Sequence, residues 1–113
     1  AVIYSGKPLA DYSDWYLTYI SEGVVTMLGY EPREFIGHPQ FWEQRVHPED
    51  LRPTLAKIPC LWKEGRCTFE YRLLHKDGNY RWIREEANVV RDADGAPIEV
   101  NGCDRRTSGD GWS

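Results

Sequence analysis

The run Phe69-Glu70-Tyr71-Arg72-Leu73-Leu74-His75-Lys76-Asp77-Gly78-Asn79-Tyr80-Arg81-Trp82-Ile83 limits what this chain can fold into more than any other stretch. Apolar and polar side chains alternate on both sides of Asp77-Gly78, the period of two that marks half-buried strands. Asp-Gly suits a two-residue hairpin turn, because both residues tolerate the positive φ that matches strand twist. A second turn, Asp92-Ala93-Asp94-Gly95, follows downstream. The expected strands are about 66–75, 80–91 and 97–105, paired antiparallel.

The 113 residues suffice for one domain with one core. Ala1–Tyr4 and Trp15–Ile20 read as two further strands, separated by a polar turn region with Gly6, Pro8 and Asp11. Ser21 is placed to cap a short helix ending at Leu28, with Gly29 as its C-terminal stop. Pro32 starts a helical turn through Phe35, and Pro39 another that carries Phe41, Trp42 and Val46. After Pro48, Leu51, Leu55 and Ile58 recur at i, i+4 and i+7 as one buried stripe. Pro53 and Pro59 each remove a backbone donor, so this helix is expected to restart at Pro53 and to kink or end near Pro59. The order of elements gives an α+β fold: a five-stranded antiparallel sheet with short helices packed on one face. It occupies 1–108, leaving 109–113 as a tail or linker stub.

A net charge of −4 argues against nucleic acid, since phosphate binding needs clustered Lys and Arg. No window of eighteen apolar residues exists, so this segment is expected to make no membrane contact. The N-terminus lacks the layout of a signal peptide. The chain opens without Met, as an excised piece of something longer does. Cys60, Cys67 and Cys103 are odd in number and show no CxxC spacing, which fits reduced thiols in the cytoplasm. His38, His47 and His75 are scattered, each read as a turn or helix-entry residue, so no metal site is expected.

Several short motifs together resemble the PAS domain, the sensor module of bacterial histidine kinases and cyclic-dinucleotide enzymes. They are Tyr19-Ile20-Ser21-Glu22-Gly23-Val24, Leu28-Gly29-Tyr30, Pro32-Arg33-Glu34-Phe35-Ile36-Gly37, His47-Pro48-Glu49-Asp50, Glu70-Tyr71-Arg72, Asp77-Gly78, Trp82, Gly95 and Gly102. The resemblance spans about residues 1–108 and implies the same α+β layout. It also implies a non-enzymatic module of a multidomain protein, with a possible small-molecule ligand, an output domain in the same chain and a homodimeric state. Three departures qualify it. Relatives that form a thiol-linked flavin carry Cys where this chain reads Gly37-His38-Pro39-Gln40-Phe41, and Asn where it has Leu73. Haem-binding relatives place a His on the long helix, but residues 48–64 contain none, and Cys60 there reads as a small core hydrophobe. Neither cofactor is therefore expected. Finally, Arg105-Arg106-Thr107-Ser108 puts Arg106 where the family's exit motif has Asp.

Alternation places Cys67, Phe69, Tyr71 and Leu73 on one face of their strand, Ile83, Glu85, Ala87 and Val89 on one face of the next, and Val100, Gly102 and Asp104 together on the last. The cavity candidates are then Phe69, Tyr71, Leu73, Ile83, Glu85 and Val100 from the sheet, closed by Leu51, Leu55, Ile58 and Trp62 from the helices. A packed core without ligand is the competing reading. Glu85 separates them: a truly inward carboxylate needs a partner or a ligand. Strand twist is expected to leave Glu85 in water, and Asp104 likewise. Glu85 is also the nominee for a small acid–base enzyme of cone-shaped fold. On the outer face Tyr80, Trp82, Arg84, Glu70 and Arg72 form a candidate interface for a second copy or a flanking helix, with Trp82 as anchor; the competing reading packs Trp82 under the chain's own N-terminal segment.

Overall fold

The computed structural model describes residues 1–108; the stub expected at 109–113 lies outside the described residues. Five strands, β1 (Val2–Pro8), β2 (Trp15–Ile20), β3 (Arg66–Leu74), β4 (Tyr80–Arg91) and β5 (Pro97–Arg106), form one sheet in the order β2-β1-β5-β4-β3. Every adjacent pair is antiparallel. Five short helices fill the span between β2 and β3: α1 (Gly23–Leu28), α2 (Pro32–Phe35), α3 (Pro39–Glu43), α4 (Pro48–Ala56) and α5 (Ile58–Glu64). None is long enough to hold itself together, so each depends on burying one face. Val24, Leu28, Phe35, Ile58 and Leu61 do so against Val2, Tyr4, Phe69, Tyr71, Leu73, Ile83, Ala87 and Val100 of the inner sheet face. No described helix is long and apolar enough to cross a membrane.

Local chemistry explains where the elements depart from expectation. β1 runs on through Gly6 to Pro8, because the pairing with β2 shifts register between Ser5 and Gly6 and absorbs the irregularity inside the ladder. Ser21 does not cap α1: its hydroxyl accepts the Ile3 N–H at 3.0 Å, and Glu22 stands at the cap position without a side-chain bond. The β3–β4 turn is wider than two residues. His75 N–H bonds Asn79 O, Gly78 N–H bonds His75 O, and Gly78 alone takes positive φ (91°) while Asp77 does not. That is a three-residue loop closed by a left-handed glycine. Gly95 closes the β4–β5 turn similarly, its N–H on Asp92 O and φ 87°.

Pro53 does not break α4, which continues to Ala56. The break falls at Lys57, and Pro59 then sits in the first turn of α5, where its missing N–H is harmless. The inward stripe consequently rotates. Thr54, Ile58 and Leu61 are buried, whereas Leu51 and Leu55 are only half-buried. Thr54 can face inward because its hydroxyl donates to Asp50 O at 2.7 Å, satisfying the one polar group it brings.

Two of the motifs explain each other. His47 caps α4, its Nδ1 accepting the Glu49 N–H. Asp50, one turn in, accepts the Arg72 main-chain N–H and Nε at 2.9 Å and Nη2 at 2.8 Å, while His47 N–H donates to Arg72 O. Leu74 N–H donates to Arg45 O, and Val46 bridges Leu73. The outer edge of β3 is thus occupied by residues 45–50, which removes an open row of strand donors and acceptors.

Candidate functional site

Between the helices and the inner sheet face lies a cavity of about 60 Å³. At roughly 10–15 Å³ per water, it has room for about four to six waters or a compact organic molecule. Its floor is a buried acidic pair. Glu85 on β4 stands opposite Asp104 on β5 and is only 6 % exposed. Tyr4, on β1, donates its hydroxyl to Glu85 Oε2. Tyr71, on β3, donates to Oε1 at 2.7 Å and itself accepts Trp42 Nε1–H at 3.2 Å. Asp104 has no such support: as a residue it is half-buried, but its Oδ1 is sealed from solvent and has no hydrogen-bond partner among the described residues.

Gly102 makes this floor possible. It faces Tyr4 across the β1–β5 pair, and a Cβ there would run into the Tyr4 ring. The walls are aromatic. Trp15 stacks on Tyr4 at 6.4 Å and tilts against Phe69 at 6.2 Å, and Trp42 meets Tyr71 edge-on at 5.4 Å. Asp14, at the rim, accepts the Trp15 N–H at 2.8 Å. Trp62 lies outside the cavity and holds the β1–β2 loop in place: its Nε1–H donates to Tyr12 O at 2.7 Å, and its ring packs on Tyr12 and Trp15.

Burial dominates the electrostatics. It raises the Glu85 carboxyl, with the two tyrosine hydroxyls pulling the other way. Burial and then the Glu85 charge lift Asp104 well above the usual carboxylate range. Both tyrosines are raised by burial and by Glu85. Asp14 is pushed up to about 7 by burial, opposed by the Trp15 N–H and reinforced by Glu43 and Glu85. Desolvation and mutual repulsion favour a shared proton over two bare charges in the floor pair.

Of the residues expected at the cavity, Ile58, Phe69, Tyr71, Leu73 and Glu85 line it. Ile83 and Val100 face inward but are 0 % exposed within packed core and do not reach the cavity wall. Leu51 and Leu55 are rotated off by the unbroken α4, and Trp62 is displaced onto the loop. Glu85 and Asp104, expected in water, are turned inward, because the β4–β5 ladder keeps its alternation past both residues. Sequence reasoning did not find Tyr4, Asp14, Trp15, Trp42 or Thr54. The Trp15-Tyr16-Leu17 start of β2 was the available signal for Trp15; Asp14 belongs to a loop, and no periodicity marks it.

The outer-face candidates are scattered in role. Arg72 is engaged by Asp50 and lies over the Trp82 ring at 5.2 Å, so Trp82 is half-buried, and Trp82 O accepts the Thr107 N–H. Tyr80 packs on His47 at 4.8 Å, while Glu70 and Arg84 are exposed. Among the described residues no cysteine lines the cavity, and Cys60 is exposed rather than a core residue. From α4 and α5, Thr54 and Ile58 line the cavity, neither of them an iron ligand. These residues fit neither a thiol-linked flavin nor a haem held from the long helix.

Comparison with known proteins agrees with this architecture. A family model described as the PAS fold matches residues 17–103. The two-component sensor PprA of Pseudomonas aeruginosa is 37 % identical over 87 residues, covering 74 % of this chain and 9 % of that protein. The methyl sulfide methyltransferase-associated sensor of Methanosarcina acetivorans is 32 % identical over 83 residues, 72 % of this chain and 8 % of that protein. The chain therefore spans less than a tenth of either curated relative. Among solved structures, the N-terminal domain of a diguanylate cyclase with a PAS/PAC sensor from Marinobacter aquaeolei superposes with a TM-score of 0.76 at 26 % identity, covering 94 % of each chain. By the family model, by two sensor relatives and by the shared fold, the chain belongs to the PAS fold family.

Proposed function

We propose that this PAS domain is a non-catalytic, cytoplasmic sensory module of a larger bacterial signalling protein, which takes a small molecule into its inner cavity and relays occupancy to an output domain. One observation carries the reading: the inner cavity is lined by Asp104, whose Oδ1 is buried with no hydrogen-bond partner among the described residues. Buried polar atoms almost always have partners, and a carboxyl left without one on a residue beside a cavity calls for a ligand or a water. The hydrogen-bonded series Trp42–Tyr71–Glu85–Tyr4 supports the relay, because it ties α3, β3, β4 and β1 to one carboxylate. A ligand that binds one arrangement of that series better than another shifts its population, and β1 and β5 carry the change outward. Acid–base catalysis is disfavoured because both Glu85 oxygens already accept tyrosine hydroxyls.

The test is mass spectrometry of whatever the untreated, purified domain releases on denaturation, together with its ultraviolet–visible spectrum and a metabolite melting screen. A released or stabilising small molecule supports the reading. An empty protein that no compound in the screen stabilises refutes it.

A second reading has an observation of its own. Ile3 and Tyr19 are 53 % and 49 % exposed and, with Trp82, point from the outer sheet face. An apolar face of this kind suits a second copy of the domain or a covering helix.

A further inference from the structure

The chemistry of the cavity selects the charge of its occupant. Three carboxyls line it (Asp14, Glu85 and Asp104), and among the described residues no Lys or Arg does. His38 is the one basic side chain on its wall. The rings of Tyr4, Trp15, Trp42, Phe69 and Tyr71 surround the remaining space. An anion placed here would face three carboxyls with no fixed positive charge to meet it, and burying it that way is prohibitive. A neutral apolar molecule would leave Asp104 Oδ1 as unpartnered as before. A compact organic cation answers both problems: its N–H groups pair with the Asp104 carboxyl that lines the cavity, and its charge lies among aromatic faces that attract cations.

We propose that the cavity is a binding site for a small organic ammonium compound, its charged nitrogen on the Asp104–Glu85 pair and its apolar part among Trp15, Trp42 and Phe69. This inference rests on the cavity being a ligand site. Glu85 is held by Tyr4 and Tyr71 and acts as the fixed acceptor, so Asp104 is the acceptor whose partner the ligand supplies. Binding has a proton balance. The pair gives up the proton it holds when empty, the ammonium takes that proton's electrostatic place, and the proton leaves to solvent. The groups facing the pair are Tyr4 from β1, Tyr71 from β3, Asp14 from the β1–β2 loop and Cys103 beside Asp104 on β5, with His38 on the same wall and Glu43 acting on Asp14. Both tyrosines stay neutral near pH 7 and so do not contribute to the pH dependence.

The experiment is calorimetric titration of the domain with n-butylammonium, n-butanol and butyrate, at pH 6 and pH 8 in buffers of differing ionisation enthalpy. Quenching of Trp15 and Trp42 fluorescence gives a second readout. Expected are binding of butylammonium, no binding of butyrate, and proton release to buffer. Affinity should rise with pH by up to about tenfold per unit for each proton displaced. Asp104→Asn, which preserves shape, should weaken butylammonium roughly 10- to 100-fold while the domain stays folded by its melting curve. Glu85→Gln gives the same test from the other member of the pair. Butanol binding as well as butylammonium, or unaltered affinity in both variants, overturns the cationic assignment but leaves ligand sensing standing. Butyrate binding in place of butylammonium does the same. Failure of all three probes overturns the cationic assignment, and with nothing released on denaturation it overturns the cavity as a ligand site altogether.

Discussion

Replacing Asp14 by Asn isolates the electrostatic strain at the cavity rim. Asn keeps the acceptor for the Trp15 N–H, so the loop geometry at 2.8 Å is retained and only the charge is lost. In the folded domain the Asp14 carboxyl titrates at about 7, whereas in the unfolded chain it returns to about 3.9. A carboxyl raised on folding binds its proton more tightly in the native state, so stability falls as pH rises from the unfolded value to the folded one. Three pH units at about 1.4 kcal/mol each give ~4 kcal/mol lost by pH 8. Asp14 is partly open to solvent, and screening brings the expected figure to about 2–3 kcal/mol. Asp14→Asn should recover that amount at pH 8 and nothing at pH 4. In melting temperature, 2–3 kcal/mol is on the order of 10 °C for a domain of this size. Urea unfolding followed by tryptophan fluorescence, at half-unit steps from pH 4 to pH 8, measures it. A gap between variant and native protein that is constant with pH would falsify the reasoning, as would an Asn variant that is the less stable at pH 8.

Three further outcomes follow from other parts of the molecule. Gly102→Ala drives a methyl into the Tyr4 ring, which Glu85 and Trp15 hold in place, so it should lower stability by about 1–3 kcal/mol; adding Tyr4→Ala should restore part of the loss in a double-mutant cycle, and strict additivity would disprove the overlap. Asp50→Asn strips the Arg72 guanidinium of its carboxylate, and because Arg72 holds the Asp50 carboxyl below its usual range, the loss of melting temperature should be full at pH 7 and fade as pH falls through that lowered range; a loss independent of pH would show the bonds to be incidental. Trp82→Ala should weaken self-association, read by sedimentation, much more than binding in the cavity; equal effects would remove the outer face from consideration.

Much of the sheet was legible because alternation is a geometric rule that side-chain chemistry does not override. At Glu85 and Asp104 the period of two pointed inward while the charge argued for solvent, and the ladder prevailed because two tyrosine hydroxyls share the burden of Glu85. The second of those tyrosines sits in view on β3, but Tyr4 lies 81 positions away in sequence, and no local pattern announces such a partner. Helical reading failed at Thr54 for a related reason. Hydropathy ranked Leu51 and Leu55 above it, yet a hydroxyl bonded to its own helix is cheap to bury. Pro53 misled because its missing donor matters only opposite a carbonyl that needs it, and the Glu49 carbonyl stands on the exposed side of α4. The cavity rim was invisible, since Asp14 owes its place to a loop fastened by Trp62.

The pairing of the first strand with the last has a mechanical consequence. Val2 lies beside Asp104 and Ile3 beside Cys103, so β1 begins where β5 finishes. Tension applied between those two points does not load the β1–β5 rungs in parallel; it peels them singly, starting at Val2 and Asp104. An antiparallel ribbon opened in that way resists weakly, and the first rung to part is the one that carries Asp104. Tension at these two ends and a molecule bound on the cavity floor would act on the same bonds, so an occupied floor should make this domain harder to unzip.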